Sequence, residues 1–133
     1  MVDKVFRNNK VTKKIEFVGN FEGLYREVDD PWDQSAPKNS SYKQYYTLSR
    51  RRLLNALLTL NCSSSKLLEI GCGLGYVLEC INLKHPDLQL VGIDISQTAI
   101  AKAKAKYSNF DFYVSDIRVS KKKLQNQYDI VIL

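Results

Sequence analysis

Histidine, tryptophan and methionine each occur once in the 133 residues, and cysteine only three times. One histidine cannot build a histidine-rich metal centre. Cys62, Cys72 and Cys80 lack the C-x-x-C spacing of a zinc site or redox pair, so no metal is expected. An odd number of free thiols suits a reducing compartment. No apolar run approaches the roughly 20 residues that cross a bilayer, and the opening "MVDKVFRNNK" lacks the apolar core of a secretory signal. The expectation is a cytoplasmic protein without membrane attachment. No Gly-Lys pair followed by Ser or Thr occurs, which excludes a P-loop. The lone His85 sits in "KHPDLQL", a helix-to-strand turn, and reads as a surface residue and not as a catalytic base.

What is present suits one domain, with 44% hydrophobic and 26% charged residues. The net charge of +6 would suit an anionic partner, but the basic residues are scattered. The runs Arg50 to Arg52 and Lys121 to Lys123 read as a solvated helix face and a solvated loop, with an RNA-binding surface as the alternative.

Residues 1–15 are polar and lysine-rich without a sustained period, which predicts a loosely held arm. Residues 16–60 form a helical or lid segment. In it "FVGNFEGLYREV" spaces Phe17, Phe21, Leu24, Tyr25 and Val28 as a helix would. "DDPWDQSAPKNSS" is a loop carrying Trp32, and Tyr42 to about Leu60 is an amphipathic helix. From residue 61 to 133 the pattern alternates. "KLLEI", "LQLVGIDI", "FDFYVSDI" and "YDIVIL" are strands, "YVLECINLKHP" is a helix halted by Pro86, and Ser96 caps the alanine-rich helix "QTAIAKAKAKY". "KKKLQNQ" is a polar connector. Alternating strands and helices imply a parallel sheet covered on both faces, the α/β doubly wound class.

Gly71, Gly73 and Gly75 lie between the first of these strands and its helix, where a ligand can approach the backbone closely. A dinucleotide site needs a third glycine where Tyr76 stands. Glu69, two residues before Gly71, would repel a pyrophosphate and attract a cation. Asp94, at the end of the second strand, is placed to accept from ribose hydroxyls. Asp116, at the end of the third, could accept from an adenine amino group or simply cap a helix. Ribose, adenine and positive charge together describe S-adenosylmethionine.

In "LLEIGCGLG", "LVGIDIS", "FYVSDI" and "YDIVIL", taken in order, the chain resembles the class I S-adenosylmethionine-dependent methyltransferases over about residues 40–133. The resemblance implies a Rossmann-like, three-layer α/β/α fold with the third, second, first and fourth of these strands side by side. It implies that Gly71, Cys72, Gly73 and Gly75 form the loop around the methionine portion and that Glu69 lies near its ammonium. Asp94 would bind ribose, Ile95 would pack on adenine, and Asp116 and Ile117 would face the adenine edge. The segment from "LYREVDDPW" to "RRRLLNALL" loosely resembles the NodS-like branch, which makes Trp32 and Tyr42 candidate lid residues. A complete domain of this family continues past its fourth strand, so the chain is expected to be a fragment, truncated after that strand, that associates or is poorly soluble. The function expected is methyl transfer to a small-molecule acceptor, with the catalytic residues unknown. RNA methylation and a non-catalytic cofactor-binding or partner fragment are the alternatives.

Overall fold

The computed structural model describes residues 2–35, 41–60 and 62–133. The amino-terminal residues, expected as a loose arm, are instead built into the fold. A short helix α1 (Val2–Val5) leads into strand β1 (Phe6–Asn8), which pairs antiparallel with β2 (Ile15–Phe17). The Asn9 side chain closes the hairpin by accepting from the amides of Val11 and Thr12, both at 2.9 Å. The Val18 amide ties it down through the Val5 carbonyl at 2.8 Å. Backbone pairing and an Asx turn hold this segment, so hydrophobic periodicity carries no sign of it. Helix α2 (Phe21–Glu27) is consequently shorter than the Phe17 to Val28 pattern predicts. Gly19 turns the chain at φ +65°, and Asn20 caps the helix through the Gly23 amide.

Helix α3 (Ser41–Thr59) follows the predicted span and inserts Leu57 into the core, with Leu53 and Leu54 packed beside it. Then come β3 (Lys66–Ile70), α4 (Tyr76–Asn82), β4 (Gln89–Asp94), α5 (Gln97–Lys106), β5 (Asp111–Val114), α6 (Ile117–Leu124) and β6 (Ile130–Ile132). The four strands of the main sheet are parallel, in the order β5-β4-β3-β6. This is the doubly wound Rossmann-like sheet. Helix α4 ends at Asn82, ahead of Pro86. Ser96 caps α5 as predicted, accepting from the Ala99 amide at 3.1 Å.

The sheet separates two apolar layers. Leu67, Leu90 and Phe112 face Leu57, Leu78, Ile81, Ile100 and Ala103 of α3, α4 and α5. Leu68, Val91 and Ile93 face Ile117 and Leu124 of α6 on the other side. Helix α6 replaces the expected connector. Asp116 caps it, and only its two apolar ends, seven residues apart, reach the sheet, which is too sparse a pattern to read as a helix. No helix among the described residues is long and apolar enough to cross a membrane.

Candidate functional site

The carboxyl ends of β3, β4 and β5 open onto a cavity of about 620 Å³. Ligands of open α/β sheets bind outside these strand ends. Gly71, Asp94, Ile95, Asp116 and Ile117 line it from the sheet side, and Phe17, Phe21, Tyr25 and Trp32 line it from the amino-terminal side. Six of the predicted site residues thus meet at one cavity. Glu69, Cys72, Gly73 and Gly75, next to Ile70 and Gly71 in the chain, are not among its lining residues. The side chain of Tyr42 falls outside the described residues.

Gly71 has φ +74° with no atom within 4 Å of where a side chain would begin, so its open face belongs to the cavity. Gly73 has φ +51°, and a side chain there would meet the Tyr25 hydroxyl at 2.5 Å. Both positions therefore demand glycine, one for a ligand and one for Tyr25. Gly75 precedes α4, also with φ positive at 78°.

The loop amides are largely used within the protein. Those of Gly71 and Cys72 donate to the Ile93 carbonyl at 2.8 and 3.0 Å, that of Gly75 to the Cys72 carbonyl at 2.9 Å, and that of Gly73 to Asp94 Oδ2 at 2.9 Å. A phosphate cradle needs such donors pointing at the ligand. Here the main chain closes on itself, which sharpens the sequence argument against a pyrophosphate. It also revises the expected way in which Gly71, Cys72 and Gly73 could serve a ligand: by close approach and carbonyl groups, with those amides already engaged. Asp94 is buried, and its Oδ1 accepts from the Ser96 amide at 2.9 Å. Four lone-pair sites on a carboxylate leave it capacity for two further donors from the cavity.

Glu69 is 6% exposed, and its Oε2 is buried without a hydrogen-bond partner among the described residues. Burial, reinforced by the Asp94 charge and opposed by Arg50, pushes its carboxyl from 4.5 up to about 8. Arg50 is the residue that sequence reasoning missed. It belongs to a basic run whose other members, Arg51 and Arg52, are exposed, but it turns inward, with Nε buried and without a partner among the described residues. Its Nη2 donates to Gln34 Oε1 at 3.3 Å, and its guanidinium lies 5.6 Å from the Tyr46 ring centre. Nothing in an Arg-Arg-Arg run distinguishes the inward member except its helical phase.

Asp116 caps α6 and is held by Arg118, whose Nε donates to Oδ1 at 3.0 Å and whose Nη2 donates to Oδ2 at 2.5 Å. The guanidinium keeps its carboxyl below the ordinary range. Any contact with an adenine edge shares a carboxylate already committed to Arg118. Burial, with the Glu69 and Asp94 charges, raises the Cys72 thiol well above its ordinary range, which disfavours the reactive thiolate. Tyr25, read from the sequence as helix core, is buried but stands at the cavity. Its hydroxyl accepts from Trp32 Nε1 at 3.0 Å, and the Trp32 carbonyl accepts from the Tyr46 hydroxyl at 2.6 Å. Among the described residues no cluster of His, Cys, Asp or Glu is placed to hold a metal ion.

The family described as "Methyltransferase domain" matches residues 68–133. A malonyl-[acyl-carrier protein] O-methyltransferase of Bacillus anthracis is 34% identical over 99 residues, covering 69% of this chain and 36% of that protein. The chain belongs to the class I S-adenosylmethionine-dependent methyltransferases. Another relative, a carboxy-S-adenosyl-L-methionine synthase of Campylobacter hominis, is 29% identical over 121 residues, covering 88% of this chain and 47% of that protein. Among solved structures, the plantazolicin methyltransferase BpumL in complex with SAH aligns at TM-score 0.54 and 26% identity, over 80% of this chain and 39% of that one. The CurJ carbon methyltransferase shares the fold at TM-score 0.62 and 22% identity, over 86% of this chain and 34% of that one. The chain thus spans 36% of the length of the Bacillus relative and under half of the other.

Proposed function

We propose that this chain forms the cofactor-holding part of a methyltransferase that acts on a small-molecule acceptor. The observation that carries the reading is a pair of buried atoms of opposite character without a hydrogen-bond partner among the described residues, Glu69 Oε2 and Arg50 Nε, the second of which favours ionisation of the first. A zwitterionic amino-acid head would answer both, its ammonium favouring the ionised form of Glu69 and its carboxylate meeting Arg50, as a methionine portion would provide. Asp94 would take the ribose hydroxyls, Ile95 and Ile117 the faces of the adenine, and Asp116 its edge. The open face of Gly71 admits the ligand close to the main chain.

Bound S-adenosylmethionine supplies a methyl group on a sulfonium that is already a good leaving group. The protein's own task is alignment and exclusion of water. Phe17, Phe21 and Trp32 form the apolar wall that does the second. The trans-aconitate 2-methyltransferase of Yersinia pestis supports a small acceptor, and the malonyl-[acyl-carrier protein] enzyme supports a small acyl group presented on a carrier. An RNA substrate draws less support, because the exposed Arg51 and Arg52 lie on α3 and the exposed lysines on α6, helices that cover opposite faces of the sheet.

Thermal unfolding with S-adenosylhomocysteine against NAD tests the reading. The homocysteine compound at about one hundred times its Kd stabilises by about 2.7 kcal/mol and raises Tm by several degrees, while NAD leaves it unmoved. A shift with NAD and none with S-adenosylhomocysteine would return the loop to dinucleotides.

A further inference from the structure

Glu22 stands in the first turn of α2, yet its carboxylate reaches a helix more than seventy positions away. Its Oε2 accepts from Ser96 Oγ at 2.7 Å and from the Thr98 amide at 3.1 Å, and its Oε1 accepts from Thr98 Oγ1 at 2.6 Å. Arg26 Nε also donates to Oε1, at 3.0 Å. The first-turn amides of α5 have no partners within their own helix, and a negative charge there is favourable. Ser96 satisfies Ala99 and Glu22 satisfies Thr98, so α5 is capped once by its own chain and once from α2. The hydrogen bonds from Thr98 and Ser96 hold the Glu22 carboxyl down at about 2, so it stays ionised at every working pH.

The other end of α2 is fastened to the same helix. Lys102 Nζ donates to the carbonyl of Tyr25 at 2.9 Å and to Asp29 Oδ1 at 2.9 Å. Helix α2 carries Phe21 beside the first fastening and Tyr25 at the second, and both line the cavity. Ser96 is shared: its hydroxyl donates to Glu22 while its amide donates to Asp94 Oδ1, and Asp94 Oδ2 accepts from the Gly73 amide. An unbroken line of hydrogen bonds therefore runs from the glycine loop through Asp94 and Ser96 to α2.

We propose that Glu22 is a positioning residue: it fastens α2 as a strap across the cofactor site and, through Ser96, sets the Asp94 carboxylate toward the ligand's ribose. The inference rests on reading the cavity as the cofactor site. Releasing Glu22 leaves Lys102 as the second fastening, so α2 pivots away from the cavity while the sheet stays intact. Without its partner on α2, Ser96 still caps α5 and still donates its amide to Asp94 Oδ1, but its own position is no longer fixed by Glu22.

Trp32 is the only tryptophan and donates to Tyr25 on the strap, so its fluorescence reports the strap directly. The test compares wild type with Glu22→Gln, which turns one acceptor into a donor facing donors, and with Thr98→Val, which keeps shape and loses one hydroxyl. Thr98→Ser restores that hydroxyl. Acrylamide quenching of Trp32 without ligand is expected to rise about two-fold in the first two variants. S-adenosylhomocysteine affinity is expected to fall about ten-fold, in line with the loss of one hydrogen bond to a charged group. Thr98→Ser returns both values toward wild type, and the far-UV melting of the sheet barely moves. Unchanged quenching and affinity in Glu22→Gln and Thr98→Val would overturn the proposal, as would affinity falling only in step with Tm. Failure of the wild type to bind S-adenosylhomocysteine would instead overturn the cofactor reading, and the quenching result would then judge the strap alone.

Discussion

Glu69 lies enclosed beside the glycine loop, only 6% exposed. The residue alternates with Leu68 and Ile70 in a strand buried on both faces, and a single sequence does not say which polar residue is enclosed. Enclosure decides its chemistry. With its carboxyl raised from 4.5 to about 8, the native chain holds more protons than the unfolded chain between those values. The stability that this contributes is present in full below pH 4.5 and is lost as pH rises through about 8. Urea midpoints measured across that window should fall with pH in the wild type and run flatter in Glu69→Gln, which cannot ionise. Equal slopes would mean that the carboxyl titrates normally. Glu69 was legible in the sequence as an acid beside a glycine loop; Arg50, by contrast, was not, since its inward turn depends on the phase of α3 against β3 and the loop.

At the level of elements, the units with long apolar runs and glycine or serine punctuation were readable from sequence: β3, the loop, α4, β4 and α5 with its Ser96 cap. Helix α6 was not, because three lysines and two widely spaced apolar contacts outweigh its capping aspartate in any window. The amino-terminal hairpin, held by backbone pairing, was equally silent. The strap formed by α2 depends on contacts between residues 74 and 76 apart, which no local pattern encodes. The loop offers a separable pair of substitutions. Gly73→Ala places a methyl group 2.5 Å from the Tyr25 hydroxyl at φ +51°, so it should both strain the backbone and push α2 aside. A loss of about 1–3 kcal/mol is expected in denaturant unfolding. Gly71→Ala meets open space at φ +74°, so it should cost only the left-handed strain, about 1 kcal/mol, while obstructing the ligand. Loss of binding with nearly native stability at Gly71, and loss of stability at Gly73, would be seen by pairing calorimetric titration with unfolding. The opposite assignment would place the cavity on the wrong side of the loop.

For the whole molecule, strand order and family followed from the ordered motifs, because a parallel sheet with alternating helices admits few topologies. The acceptor did not follow. The chain covers 36% of the length of its Bacillus relative, and its cavity wall is built from the amino-terminal segment that the motifs do not describe. As a unit the molecule ties the glycine loop to the start of α5 through Asp94, and the proposal is that this carboxylate also takes the ligand. Calorimetric titration of the chain with S-adenosylhomocysteine, wild type against Asp94→Ala, tests that claim most directly. Removing a carboxylate that holds the Gly73 amide and is proposed to take two ribose hydroxyls should weaken binding by about 10- to 100-fold or more. Equal heats and equal affinities for the two proteins would contradict the account.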